Sequence, residues 1–223
     1  RAAAGPAMHS RLHTQPGPPT NVNGLFLRDH YFTVPLDYAQ VREDWVAEVP
    51  DGMTAADGRT IRVFVREVVR ERVAARAAEM PPILYLQGGP GFESPRPVDA
   101  GGFVKKLAET YRVFLMDQRG TGLSTAISTH TLMEEGDVDA QVDFLRCFRA
   151  DSIVRDAEVV RRVLLGAGRR WSVLGQSFGG FCCLTYLSFF PEGLIECFIT
   201  GGLAPTTPGC SADRVYTALE KRV

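Results

Sequence analysis

The segment GQSFG, from Gly175 to Gly179, places one serine between two glycines. It follows a short apolar run at residues 171–174 and precedes a longer one. This pattern is typical of a nucleophile elbow, where a serine occupies a sharp strand-to-helix turn and the glycines let strand and helix approach closely. We therefore predict that Ser177 is the nucleophile of an acyl-transfer reaction. The alternative is a tight turn that contains an incidental serine.

A second glycine-rich segment, QGGPG at residues 87–91, follows the apolar run at residues 83–86. Backbone N–H groups in such a segment can point at the charge that develops on a carbonyl oxygen during acyl transfer. The N–H of Phe178, the residue after the serine, would be the second donor. A plain turn and a phosphate-binding loop are the alternatives. The phosphate loop is disfavoured because no GK[ST] follows and the segment opens no GxGxxG.

A third segment, DQRGTGLS at residues 117–124, follows the apolar run at residues 112–116. Asp117 and Arg119 lie two residues apart, where an acid and an arginine most simply form a buried or loop-fixing ion pair. We favour this structural role over a catalytic one. Since active sites of open α/β sheets lie at the carboxyl ends of strands, the three segments are expected at one edge of a sheet.

The elements that position these segments can be predicted from hydrophobic patterns. Continuous apolar runs suit strands that are covered on both faces, as in a parallel sheet. A helix is predicted to begin at the capping pair Asp151-Ser152, and another to cover residues 178–190. The alternation of strands and helices predicts the α/β class with a doubly wound, mostly parallel sheet. The predicted strands are residues 30–36, 60–69, 83–86, 112–116, 171–174 and 194–200.

Together and in this order, GGPG, DQRGTGLS and GQSFGG resemble the proline iminopeptidases (prolyl aminopeptidases) of the α/β-hydrolase superfamily. The resemblance implies an α/β-hydrolase fold and a serine aminopeptidase that releases N-terminal proline from peptides without a cofactor. It implies that Ser177 is the nucleophile and that the backbone N–H groups of Gly89 and Phe178 form the oxyanion hole. The chain departs from the family at Gln87, where histidine is common. This change leaves the backbone donor intact.

The resemblance begins at about residue 30 and divides the chain into three parts. Residues 1–28 contain no acid and much alanine, proline and glycine, which predicts a disordered leader or a targeting remnant. Residues 29–205 correspond to the α/β-hydrolase core, and residues 206–223 to the start of a helical cap. Acids, largely in that cap, recognise the substrate's free amine in the family. Glu93, near the oxyanion segment, is a weaker candidate for this role, and a solvated loop acid is the alternative.

Two groups that a serine hydrolase needs do not follow Ser177 in these 223 residues. In this fold the acid and the histidine base come after the serine, but the last histidine here is His130. The acids that follow the serine lie at predicted helix-end, strand or cap positions and are not taken as the catalytic acid: Glu192, Glu196, Asp213 and Glu220. The sequence therefore predicts a fold that is incomplete at the C-terminus and inactive by itself, with a surface role for His130. Two alternatives stay open: another serine α/β-hydrolase such as an esterase, and a non-catalytic, truncated interaction module.

The composition of the chain limits the kinds of partner and ligand that are expected. Lysine and arginine total 25 against 26 acids, so no basic field attracts nucleic acid. The longest apolar run, residues 178–190, is too short to span a bilayer. Five cysteines without a CxxC pair and four histidines without metal-ligand spacing predict a reduced, cytoplasmic protein without a metal, organelle targeting being the alternative. Cys182 and Cys183 are predicted to be small hydrophobic core residues. The sequence predicts no particular oligomeric state.

Overall fold

The computed structural model describes residues 13–14, 18–41, 58–98 and 102–203, together with positions 211, 213, 214, 217, 220 and 221. The strands are β1 (His13–Thr14), β2 (Thr20–Val22), β3 (Leu25–Pro35), β4 (Thr60–Arg70), β5 (Pro82–Leu86), β6 (Arg112–Asp117), β7 (Trp171–Gln176) and β8 (Leu194–Thr200). The α-helices are α1 (Gly102–Leu107), α2 (Thr129–Met133), α3 (Val138–Arg146), α4 (Ala150–Leu165) and α5 (Phe178–Phe189). Short 3-10 helices cover Tyr38–Gln40, Glu71–Glu79 and Pro191–Gly193.

Within the described residues the strands form one mixed sheet in the order β1-β3-β4-β6-β5-β7-β8, and β2 pairs with β3. The neighbours β6, β5, β7 and β8 run parallel, which confirms the predicted parallel part. Strands β3 and β4 pair antiparallel to each other, and β4 also pairs antiparallel with β6. Leu86 at the end of β5 pairs with Met116 on one side and Gly175 on the other. The loops after these three strands therefore leave the sheet side by side.

The hydrophobic core lies on both faces of the sheet. Leu84 and Leu86 pack with α4 and α5 on one face, whereas Ile83 and Tyr85 pack with Val104 of α1 on the other. Successive side chains of a strand point to opposite faces. A strand that is covered on both sides must therefore be apolar at every position, as β5 is.

The N-terminal part of the sheet begins earlier than predicted. Strand β3 starts at Leu25 instead of residue 30, and β1 and β2 both lie within the predicted leader. The Asn23-Gly24 turn has φ of 46° and 83°, the two positive values of a tight hairpin turn. This dipeptide is a hairpin signal, which the assignment of residues 1–28 from composition alone did not take into account. The rest of the leader, residues 1–12 and 15–17, lies outside the described residues.

Two smaller differences concern helix ends. Helix α4 begins at Ala150, and its first turn has no side-chain cap. The predicted capping pair Asp151-Ser152 is therefore wrong, because both residues already lie inside the helix. Much of the predicted cap start at residues 206–223 lies outside the described residues and stays a prediction. Among the described residues no helix is both long and apolar enough to cross a membrane.

Candidate active site

Ser177 sits on the sharp turn between β7 and α5. Its backbone has φ 53° and ψ −115°, a left-handed conformation that is strained for any residue other than glycine. The turn is held by the Ser177 N–H, which donates to the Thr200 carbonyl at 2.9 Å. The Ser177 carbonyl accepts from the Gly180 N–H at 2.9 Å and the Phe181 N–H at 3.2 Å. The predicted strand-turn-helix context of the serine is confirmed.

The glycines that flank Ser177 are required by close packing. A Cβ at Gly175 would overlap the Gly179 carbonyl, and one at Gly179 would overlap the Leu86 carbonyl. The start of α5 therefore touches the end of β5 backbone to backbone. Glycine at these two positions brings the elbow into contact with the strand that precedes the second glycine-rich segment.

That second segment, residues 87–91, which we call the oxyanion loop, lies directly against the serine. A Cβ at Gly88 would be 3.2 Å from the Ser177 Cβ and 3.0 Å from the Gln176 carbonyl oxygen. The Phe178 N–H lies in the first turn of α5, where amide groups have no intrahelical acceptor. The structure thus brings the loop and the elbow together. Whether the Gly89 and Phe178 amides share one target stays a prediction.

Asp117 and Arg119 each form an ion pair, but not with each other, so the predicted pairing is wrong. Asp117 pairs with Arg96 beyond the oxyanion loop. The Arg119 guanidinium instead binds Asp156 of α4, at 2.6 Å and 2.7 Å. Residues two apart in this turn point in different directions, and each ties the turn to a different element. The sequence offered no signal for either partner.

Arg119 anchors the third segment to the body of the protein. Its guanidinium also donates to the carbonyls of Pro35 and Leu36, and Tyr38 donates to Asp156 at 2.8 Å. Burial opposes the charge on Arg119, but the Asp156 carboxylate raises the pKa of the guanidinium above its ordinary value. Burial also raises the pKa of the Tyr38 hydroxyl, so that it remains a donor. The predicted loop-fixing role of an ion pair at this turn is therefore correct, although the partner is different.

Three further side chains meet at the oxyanion loop, and sequence reasoning missed their roles. The Gln118 amide donates to the Gln87 carbonyl at 2.9 Å. The Tyr85 hydroxyl donates to the Gln87 side-chain oxygen at 2.6 Å and lies 3.2 Å from the Gln176 side chain. Burial raises the pKa of Tyr85, so its hydroxyl stays protonated. Gln87 at the start of the oxyanion loop and Gln176, which precedes Ser177, are thus joined through one tyrosine.

A cleft of about 380 Å³ opens beside these loops, lined by apolar and polar groups that include Pro90, Gln118 and Phe178. Glu93 is exposed on the neighbouring loop, as expected of a solvated acid, and its substrate-binding role stays a prediction. His130 lies on α2 with its side chain 85% exposed, 3.4 Å from Glu134, which confirms the predicted surface role.

The cysteines and the possible metal ligands were predicted to have no catalytic or metal-binding role. Cys182 and Cys183 are buried and free, which confirms their prediction as small core residues. No group of three histidine, cysteine or acidic side chains in the described ranges could hold a metal ion.

Comparison with known proteins places this site in a family. A family model of the alpha/beta hydrolase fold matches residues 81–214, which carry all three loops. The chain therefore belongs to the α/β-hydrolase fold family. Within it, the chain is 48% identical over 202 residues to a proline iminopeptidase of Aeromonas sobria, covering 91% of this chain and 43% of that protein.

Two other proteins illustrate the range of similarity. A proline iminopeptidase of Aspergillus aculeatus is 40% identical over 185 residues, covering 80% of this chain and 41% of that protein. The crystal structure of a hydrolase from Pseudomonas aeruginosa is 18% identical, with a TM-score of 0.47, covering 78% of this chain and 51% of that one. The chain thus spans less than half the length of the two iminopeptidases.

Proposed function

We propose that the full-length protein is a serine aminopeptidase that releases N-terminal proline from peptides. The observation that carries this proposal is the strained elbow at Ser177, packed against Gly88 of the oxyanion loop. Its occurrence in a chain 48% identical to a proline iminopeptidase supports the substrate class. Ser177 itself supports a serine hydrolase in particular among the enzymes of this fold.

The proposed reaction is acyl transfer in two steps. The Ser177 oxygen bonds to the carbonyl carbon of the N-terminal proline while a base takes the hydroxyl proton. The N–H groups of Gly89 and Phe178 stabilise the oxyanion, aided by the positive end of α5. The C–N bond then breaks, and the shortened peptide leaves with the proton from the base. Water hydrolyses the prolyl ester and frees the serine.

The base and its orienting acid are proposed to come from sequence beyond residue 223. No histidine follows Ser177 in this chain, and the iminopeptidase relatives are more than twice as long as the part that matches. We expect the full reading frame to supply an acid and then a histidine. A complete gene sequence without a later histidine would favour the non-catalytic interaction module instead.

Replacing the nucleophile tests the proposal. We expect Ser177→Ala in the full-length protein to lower kcat for a chromogenic prolyl amide by about 10⁴-fold or more, since the residual rate would come from binding and the oxyanion hole alone. Ser188→Ala is the matched control, because Ser188 is exposed on the same helix and donates to the Leu184 carbonyl. Thermal unfolding should show that both variants fold.

Two results would contradict the proposal. Wild-type turnover by Ser177→Ala would remove the nucleophile assignment. Efficient hydrolysis of simple esters, without hydrolysis of prolyl amides, would favour an esterase that uses the same serine.

We also propose a cytoplasmic location, supported by five cysteines without a CxxC pair. Fractionation of cells that express the tagged full-length protein tests it, and recovery in an organelle would favour the targeting alternative.

A further inference from the structure

We infer that Gln118 is the positioning residue of the oxyanion loop, through its hydrogen bond to the Gln87 carbonyl. This inference rests on the proposed function and adds a residue outside the nucleophile and the two backbone donors. The loop itself has little means of holding its own shape. Gly88 and Gly89 carry no side chains, and Gly89 has a φ of 127°, so contacts from neighbouring elements must fix their conformation.

Gln118 fixes the upstream end of the loop. Its side-chain amide donates to the Gln87 carbonyl at 2.9 Å, and the residue is only 2% exposed. The peptide group that carries this carbonyl also carries the Gly88 N–H, and the group is planar. Holding the carbonyl therefore fixes the direction of the Gly88 N–H and the path by which the chain enters Gly89.

Asp117, the preceding residue, holds the segment that follows the loop. Its carboxylate accepts from the Ser94 N–H at 3.0 Å and from Arg96 at 2.9 Å. The Ser94 hydroxyl in turn donates to the Met116 carbonyl at 2.6 Å. Two adjacent side chains at the end of β6 thus hold the start of the oxyanion loop and the segment at residues 94–96 that follows it.

Gln118 is itself well fixed, as a positioning residue must be. Its backbone carbonyl accepts from the Thr121 hydroxyl at 2.8 Å and from the Thr121 N–H at 3.0 Å. The Gln87 carbonyl itself has little room to move towards α5, because a Cβ at Gly179 would be only 2.9 Å from its oxygen. A shift of this carbonyl would therefore press on the first turn of α5 beside Ser177.

The test compares how much Gln118 contributes to stabilising the transition state with how much it contributes to binding in the ground state. In the full-length protein, we expect Gln118→Leu to lower kcat for a prolyl amide by about 10- to 100-fold with little change in KM, since small misplacements of oxyanion donors cost rate and not ground-state binding. The affinity for a prolyl boronate, which forms a tetrahedral adduct with serine, should fall by a similar factor. The affinity for free proline should stay unchanged.

Two variants complete the comparison. Gln118→Glu keeps the length of the side chain but replaces the donor with an oxygen, and it should reproduce the loss. Gln141→Leu is the matched control, because Gln141 makes the same kind of bond, to the Gly136 carbonyl at 2.8 Å, on the exposed helix α3. It should leave kcat and boronate affinity unchanged.

Clear outcomes would overturn the inference. A rise in KM alone, equal losses of boronate and proline affinity, or unchanged kcat in both Gln118 variants would each show that the bond does not position the oxyanion donors. Failure of the proposed function can be distinguished from failure of this inference. If the wild-type protein does not hydrolyse prolyl amides but reacts with a serine-directed phosphonate, the aminopeptidase proposal is wrong. In that case, a 10- to 100-fold slower phosphonate reaction in Gln118→Leu would still support the positioning role.

Discussion

At the scale of single residues, the elbow depends on the absence of side chains as much as on the serine. The Gly179 backbone touches the end of β5, and a Cβ there would overlap the Leu86 carbonyl and lie 2.9 Å from the Gln87 carbonyl oxygen. Both atoms belong to backbone that is paired or anchored. The strand cannot move away without also moving the oxyanion loop.

We therefore expect Gly179→Ala in the full-length protein to reduce both stability and kcat. Forcing atoms into packed backbone costs about 1–3 kcal/mol of unfolding free energy, and the displaced loop loses its alignment with Ser177. Urea unfolding and prolyl-amide kinetics measure the two effects. Gly168→Ala is the control, because a Cβ at Gly168 meets nothing within 4 Å. Wild-type behaviour of Gly179→Ala would show that the two elements are not in contact.

Sequence alone could predict that Ser177 lies on a turn between a strand and a helix, because the elbow is a local pattern of five residues between these two elements. It could not predict the partners of Asp117 and Arg119. Those partners, Arg96 and Asp156, are 21 and 37 residues away along the chain. Only the assembled sheet brings them together. The role of Gln118 was hidden for the same reason, since it bonds to a backbone atom, which no side-chain pattern marks.

At the scale of elements, the strands covered on both faces and the edge strand β8 were predictable, and the N-terminal edge of the sheet was not. Strands β5 and β7 are short apolar runs that end in glycine turns, a pattern with few alternatives. Strand β3 instead alternates buried and partly exposed residues from Leu25 onward. Its first half carries charged residues, and strand β1 has only two residues, so local hydrophobicity could not reveal either.

The docking of β1 onto β3 is expected to depend on pH. The His13 ring nitrogen lies 3.1 Å from His30, and the His13 ring stacks on Phe32. Burial, reinforced by the nearby His30, lowers the pKa of His13 to about 4. On its other side, the His30 ring contacts Glu67. Burial opposes the charge on the Glu67 carboxylate, but hydrogen bonds from His30 and Arg112 lower its pKa to about 2.

The direction of the pH effect follows from the lowered pKa of His13. Below about pH 6.5 the unfolded chain binds a proton that the folded chain does not, so the stability contributed by docked His13 is lost as the pH falls from 6.5 towards 4. We expect His13→Phe to reduce this loss, measured by urea unfolding at several pH values. His130→Phe, at an exposed site, should not reduce it. Equal pH dependence in wild type and His13→Phe would contradict this account.

At the scale of the whole molecule, the sheet ends in a strand that is poorly covered. Among the residues that the structure describes, strand β8 is last in the strand order, and most of its residues are exposed, including Ile195, Phe198 and Ile199. An apolar edge strand of this kind offers unpaired backbone groups to another chain. The proposed catalytic site is also incomplete in residues 1–223. These residues contain the elbow and the oxyanion loop, whereas the base and the acid are proposed to lie beyond residue 223.

We therefore expect residues 1–223, expressed alone, to self-associate and to lack prolyl-amide turnover. Without a base the Ser177 hydroxyl keeps the low nucleophilicity of an ordinary alcohol, so a serine-directed phosphonate should label it slowly. Size-exclusion chromatography, amide kinetics and labelling measure the three properties. Ile195→Lys should reduce self-association, because a charge at an exposed edge opposes strand pairing, whereas Val142→Lys on the exposed side of α3 should not. A monomer that turns over prolyl amides and labels stoichiometrically would show that a base lies within these residues, and His130 would be the first to test.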